Sequence, residues 1–375
     1  MKTSERAYRI GRDFAGVLPR AHAALKSSGD WKPLSPIGAR QLGEVMLDEL
    51  ALSGMTLTAP PPKLERTVDS CQAAAEELSA LGVEQAHSPP NPLQVRSLRR
   101  RRLGRLTYEK LTFDHEPVLP PSLTSVGLGG AATALVHLCR TGDDGRPWLV
   151  WVHGAGQGQP IDLLFSHARR IRDDLGFNIA LPVQPGHGAR RTAWPPYPNM
   201  DPLNNIAGMM RVVSEVRALV QWLRPQSAVM AVSGVSMGSP IAALVSHFEE
   251  VDGVAVYTPI TGLNAMISQH LHRWGPSVHE TIRLLGSDTV AALASVVDHT
   301  KVDPTPPPRG RLIVGAWHDQ MARREAALQL HQRWGGELVW HKGSHVGHLF
   351  AKGVQRASER FLRTLTATSG IADTN

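Results

Sequence analysis

A serine placed for nucleophilic chemistry lies past the middle of the chain. An apolar, β-branched stretch, residues 228–235, runs into Gly234-Val235-Ser236-Met237-Gly238, and an apolar segment follows over residues 241–245. The pattern predicts a strand, a sharp turn and a helix, with Ser236 at the bend. A serine hydroxyl attacks well only when it stands clear of the sheet, beside a base and near the free N–H groups of a helix start. Such a turn is strained and crowded, which favours glycine on both sides of the serine. Pro240 falls in the first helical turn, where a missing N–H costs little. In a chain with 34 glycines the pentapeptide alone is a weak signal, and its strand and helix context is what strengthens it.

Three further groups follow the same logic. His153-Gly154-Ala155-Gly156 closes the apolar run 148–152, and it lacks both the Lys-Ser/Thr ending of a P-loop and the spacing of a dinucleotide fingerprint. Asp319 follows the apolar strand around 312–314 by a short loop, and Gly343-Ser344-His345-Val346-Gly347-His348 follows the last strand. Taken in chain order, these features resemble the α/β-hydrolase superfamily, of serine esterase and lipase type, from about residue 106 to the C-terminal helix. The resemblance implies a triad in the order serine, acid, histidine: Ser236 as nucleophile, Asp319 as the carboxylate that orients the imidazole, and His345 as base. His345 sits in a sequence similar to the Gly-Gly-His-x-Gly form of some members, with Ser344 in place of the second glycine. His348 is the alternate base, and Asp298 and Asp303 are rival carboxylates that fit the order less well. The Met237 N–H, at the start of the helix, is one expected oxyanion donor. The resemblance points to the Ala155 N–H for the other, with Gly156 as its alternate.

The activity expected from these residues is cleavage of a carboxylic ester or thioester through an acyl-Ser236 intermediate, with no cofactor. Serine at the elbow disfavours the dehalogenase and epoxide-hydrolase branches, which use aspartate there. Two alternatives stand beside it: an acyltransferase that hands the same acyl group to an alcohol or thiol, and a binding or scaffold protein on a hydrolase fold. His187, in Pro185-Gly186-His187-Gly188, reads as a turn histidine near the pocket mouth. His270, His272 and His279 have no matching carboxylate spacing, so no metal is expected.

Such residues need a scaffold that delivers them to one edge. From residue 106 onward strands and helices alternate: strands at 108–113, 132–138, 148–152, 178–183, 253–258, 311–316 and 337–340 besides the one before Ser236, and helices at 161–175, 204–223 and 354–365, the second of them amphipathic. This alternation predicts an α/β fold with a doubly wound, mainly parallel sheet. Residues 261–308 interrupt it as a helical insertion suited to a lid. Leu263, Met266, Ile267, Leu271 and Trp274 recur there at helical spacing and suggest a substrate with an apolar acyl group. Residues 1–105 read as a helical N-terminal extension to a hydrolase domain spanning 106–375. Its helices fall at 37–52 and 67–81, with proline-rich breaks at 59–63 and 88–92. Nothing in it looks catalytic.

Composition sets the outer bounds. A hydrophobic share of 42% and a charged share of 19% suit a globular chain. No run approaches the ~18 apolar residues of a membrane span, and the N-terminal residues lack the apolar core of a signal peptide. With only Cys71 and Cys139, a reduced cytoplasmic setting is expected. The net charge of +7 is partly local, since Arg96, Arg99, Arg100, Arg101, Arg102 and Arg105 crowd together. No aromatic residue interleaves with them, so nucleic acid is not an expected partner; a solvated linker is, with weak contact to an anionic membrane as the second option. The sequence does not fix an oligomeric state.

Overall fold

Five consecutive apolar residues cannot alternate between core and water, and all of Trp148–Val152 are buried. The strand lies inside a sheet covered on both faces. The computed structural model describes residues 3–29, 31–58, 66–142, 145–191 and 197–368. Its sheet contains β1 (Val95–Leu103), β2 (Leu106–His115), β3 (Ala132–Cys139), β4 (Trp148–Val152), β5 (Asn178–Val183), β6 (Met230–Val235), β7 (Gly253–Tyr257), β8 (Arg311–Ala316) and β9 (Glu337–His341). The order is β1-β2-β3-β5-β4-β6-β7-β8-β9. β1, β2, β3 and β5 pair antiparallel, and β5 through β4 and β6 to β9 pair parallel.

Alternate side chains feed two cores. Trp148, Val150, Val152 and Val232 join the helices Pro202–Leu223 and Gly238–Phe248 on one face. Leu149, Trp151, Ala231 and Val235 join the helices Ala168–Leu175 and Lys352–Thr368 on the other. The predicted helix over 161–175 is two pieces, Asp162–Phe165 and Ala168–Leu175, separated where His167 takes a left-handed φ of 55°. The helix Pro202–Leu223 is not amphipathic: all of it but Gln221 and Trp222 is buried. The insertion helices Leu263–Leu271 and Asp288–Leu293 and the short helix Pro121–Thr124 pack against it.

The N-terminal helices α1 (Thr3–Ala15), α2 (Val17–Ser27), α3 (Pro36–Thr58) and α4 (Val68–Ala86) pack onto the rest. Cys71, Ala74, Ala75 and Leu78 of α4 enter the main core beside Leu293 and Val296 of the insertion. Glu49 of α3 takes two hydrogen bonds from Arg273 of the insertion, each 2.8 Å, and one from Arg20 of α2 at 2.6 Å. The break at 59–63 lies outside the described residues. The arginine run is a strand, β1, rather than a linker: it pairs along its length with β2 and forms the exposed edge of the sheet. A row of like charges on an edge strand discourages another chain from pairing with it. Both cysteines are free and buried. No described helix is long and apolar enough to cross a membrane.

Candidate active site

Ser236 adopts φ 53°, a left-handed conformation rarely taken by a residue with a side chain. Its N–H donates to the Tyr257 carbonyl at 2.9 Å, and its own carbonyl accepts from Ser239 N–H at 2.9 Å. The two flanking glycines answer to backbone crowding: a side chain on Gly234 would strike the Gly238 carbonyl, and one on Gly238 the Val152 carbonyl. Ser236 is half-buried at the carboxyl end of β6, directly before the helix Gly238–Phe248. Among the described residues, no hydrogen bond joins it to His345.

The loop after β4 comes up beside the serine. A Cβ on Gly154 would lie 3.2 Å from the Ser236 Cβ. His153 anchors that loop: its Nε2 accepts from the Gln184 N–H at 3.0 Å, and its Nδ1 faces the Gly154 carbonyl at 2.7 Å. Full burial pulls His153 down to about 3, so it stays neutral. The N–H groups of Met237, Ala155 and Gly156 donate to no hydrogen bond among the described residues. They are free to meet an acceptor from outside.

Asp319 and His345 meet as an acid–imidazole pair. Asp319 Oδ2 lies 2.7 Å from His345 Nδ1, while Oδ1 accepts the Met321 and Ala322 N–H groups at 2.7 Å each. Burial pulls the His345 pKa down, but the carboxylates of Asp319 and Asp48 outweigh it and hold it above the ordinary histidine value. His348 differs. Burial pushes it down to about 4; its Nδ1 faces the His345 carbonyl, and its ring stacks on Tyr257 with centroids 6.0 Å apart. The chain thus links Ser236, through Tyr257 and His348, to the loop that carries His345.

The rival carboxylates lie elsewhere: Asp298 caps a short helix by accepting from Thr300 N–H, and Asp303 pairs with Arg333. His187 is buried in its turn, with Nδ1 2.9 Å from the Pro185 carbonyl. His270 contacts the Met321 carbonyl at 3.0 Å, and His272 and His279 are exposed. No cluster of three metal-ligating side chains occurs among the described residues. The apolar residues of the insertion are occupied in packing, with Leu263 in the main core and Leu271 against Val278 and Leu285.

Three residues of α3 reach the same loops and were not singled out in the sequence. Gln41 Nε2 lies 3.2 Å from His318 Nε2; Glu44 Oε2 lies 2.7 Å from His341 Nε2; and Asp48 is fully buried against Ser344, His345, Val346 and Gln320. Their spacing, i, i+3 and i+7, is the one signal available: it puts three polar side chains on one face of a helix.

Comparison with known proteins places this geometry in context. No family profile matches the chain. An uncharacterized protein of Mycobacterium tuberculosis strain CDC 1551 is 29% identical over 384 residues, covering 96% of this chain and 88% of the relative. An uncharacterized protein of Mycobacterium tuberculosis strain ATCC 25618 is 32% identical over 239 residues, covering 61% of this chain and 55% of that relative. Among solved structures, an acetyl xylan esterase from a Paenibacillus species aligns with a TM-score of 0.51 at 15% identity, over 81% of this chain and 96% of that one. Acetyl xylan esterase 1 from a Thermoanaerobacterium species aligns with a TM-score of 0.51 at 13% identity, over 82% and 96%. At these identities the likeness is one of fold.

Proposed function

We propose that this chain, an α/β-hydrolase by fold, is a serine hydrolase that cleaves a carboxylic ester or thioester. The observation that carries the reading is the 2.7 Å pair of His345 and Asp319, on the loops after β9 and β8, in a chain whose Ser236 is held at positive φ after β6. In the proposed reaction Ser236 Oγ attacks the substrate carbonyl while His345 Nε2 takes the hydroxyl proton. Asp319 keeps the imidazole in the tautomer with Nδ1–H and stabilises the cation that forms. The oxyanion is met by the Met237 and Ala155 N–H groups. His345 then returns the proton to the departing alcohol or thiol, leaving acyl-Ser236. Water, deprotonated by the same histidine, releases the acid and restores the serine. The nucleophile–base hydrogen bond of such sites commonly tightens only once substrate is bound.

An apolar acyl group remains the proposed substrate feature, on different grounds from the insertion. Ile161, Leu164, Phe165 and Phe350 are exposed on the segments that follow Ala155 and His345, with the Phe165 and Phe350 rings 6.4 Å apart. Exposed apolar residues gathered beside a site favour apolar ligands. The test is intact-mass labelling by a fluorophosphonate. One adduct on wild type and none on Ser236→Ala is expected; no adduct on folded wild type would overturn the reading.

A further inference from the structure

The carboxylate of Asp48 has no solvent exposure, and no lysine or arginine hydrogen-bonds to it among the described residues. A buried carboxylate is expensive unless donors or charges surround it. Asp48 has four donors. Oδ1 accepts from Ser344 Oγ–H and Val346 N–H, each at 2.8 Å; Oδ2 accepts from His345 N–H at 2.9 Å and Gln320 N–H at 3.1 Å. Three of these donors belong to the loop of His345, and the fourth is the residue after Asp319. A side chain from the N-terminal region therefore ties together the two loops that carry the acid and the base.

Neighbouring residues of α3 repeat the pattern. The Glu44 carbonyl also lies 2.8 Å from Ser344 Oγ, as a second acceptor for the one hydroxyl proton that Asp48 takes, and the Glu44 carboxylate faces His341. A side chain at Gly343 or Gly347 would run into Glu44, so the glycines around His345 make room for α3. If tethering were the whole purpose, a neutral side chain would hold the loop without burying a charge.

We propose that Asp48 is a positioning residue of the catalytic site, a second carboxylate that fixes the His345 loop and strengthens His345 as a base. The proposal rests on the serine-hydrolase reading. The charged groups that face this pair are Asp319 from the loop after β8, His341 and His348 from β9 and the loop beyond it, His270 from the insertion, and Glu44 from α3 itself. Burial pushes the Asp48 carboxyl up to about 6, His345 draws it down and Asp319 raises it, so near neutral pH it is ionised. A negative charge there favours the imidazolium and raises the pKa of His345.

The test is the pH dependence of fluorophosphonate labelling at Ser236, with thermal melts as the control for folding. Asp48→Asn is expected to slow labelling about tenfold or more and to move the acid limb of the rate profile to lower pH by about half a unit or more. Labelling that is unchanged, or slowed with its acid limb unmoved, would overturn the proposal, since a purely structural role leaves the basicity of His345 alone. If Asp48→Asn does not fold, Ser344→Ala removes one donor to Asp48 and none to Asp319. Its labelling is expected to fall about threefold or more at a temperature where its melt shows it folded, and an unchanged rate would overturn the proposal. A folded wild type that does not label at any pH would remove the serine-hydrolase reading itself, a failure distinct from that of Asp48.

Discussion

Two histidines three residues apart compete for one role, and their surroundings separate them. His345 has a carboxylate on Nδ1 and a raised pKa; His348 has a backbone carbonyl on Nδ1, a stacked tyrosine, and a pKa pushed down to about 4. Only the first is built to take a proton and hold the resulting charge. His345→Ala is expected to slow labelling of Ser236 by about 10²–10⁴-fold, the range for loss of a general base, while His348→Ala keeps the rate within about tenfold. Rates measured on both variants decide it, and the reverse pattern would hand the role to His348. At this scale Ser236, Asp319 and His345, the proposed nucleophile, acid and base, stood out in the sequence because each follows a recognisable strand and stands in a loop shaped by glycine or by chain order. Asp48 was not. A buried aspartate in a helix reads like any solvated one, and its partners lie almost 300 positions away along the chain.

Elements were legible where burial imposes a pattern on the sequence. β4, β5 and β8 match the predicted residues because strands covered on both faces must be continuously apolar. Mixed signals misled elsewhere. β1 is mostly arginine, a composition read as a linker, yet pairing with β2 needs only its backbone. The helix Pro202–Leu223 looked amphipathic because Arg211, Glu215 and Arg217 interrupt its apolar residues. Those charges are buried: Glu215 contacts Arg190 at 2.7 Å and Arg211 at 3.1 Å, and Arg217 contacts Glu249 at 2.6 Å. Burial pushes the Glu215 carboxyl up, and the two guanidiniums more than reverse it. Removing Glu215 takes away the carboxylate that both guanidiniums share in the core. Glu215→Ala is therefore expected to destabilise the fold by about 3–5 kcal/mol, read by denaturant unfolding; a loss below about 1 kcal/mol would mean that water or another group takes its place. The mutation also bears on the site, because Arg190 donates to the Val183 carbonyl at the end of β5, next to the Gln184 that holds His153.

The whole molecule carries a pH dependence that no single site shows. Burial pushes His87, His137, His299 and His348 down to about 4, and His153 to about 3. Each is neutral in the folded chain at pH values where the unfolded chain, with histidine near its ordinary value of ~6.5, is already protonated. Unfolding therefore takes up protons in this window, and stability falls as pH drops from about 6.5 towards 4. Three groups act the other way, one of them Asp162, whose carboxyl burial pushes up. His345, with a raised pKa, contributes stability below its unfolded value and loses it as pH rises. Asp48, raised to about 6, binds its proton more tightly folded than unfolded, and so favours the fold as pH falls through the same range. Near pH 5 the five histidines outweigh the two carboxyls, and His345 is protonated in both states. The net uptake is then about three to four protons, or roughly 4–5 kcal/mol of stability lost per pH unit. Denaturant unfolding at a series of pH values measures that slope directly. A flat response between pH 6.5 and 4.5 would show that these imidazoles are not held neutral by the packing that surrounds them. The expected slope also separates two kinds of acid sensitivity, since labelling of Ser236 should follow the titration of His345 at pH values where the chain is still fully folded.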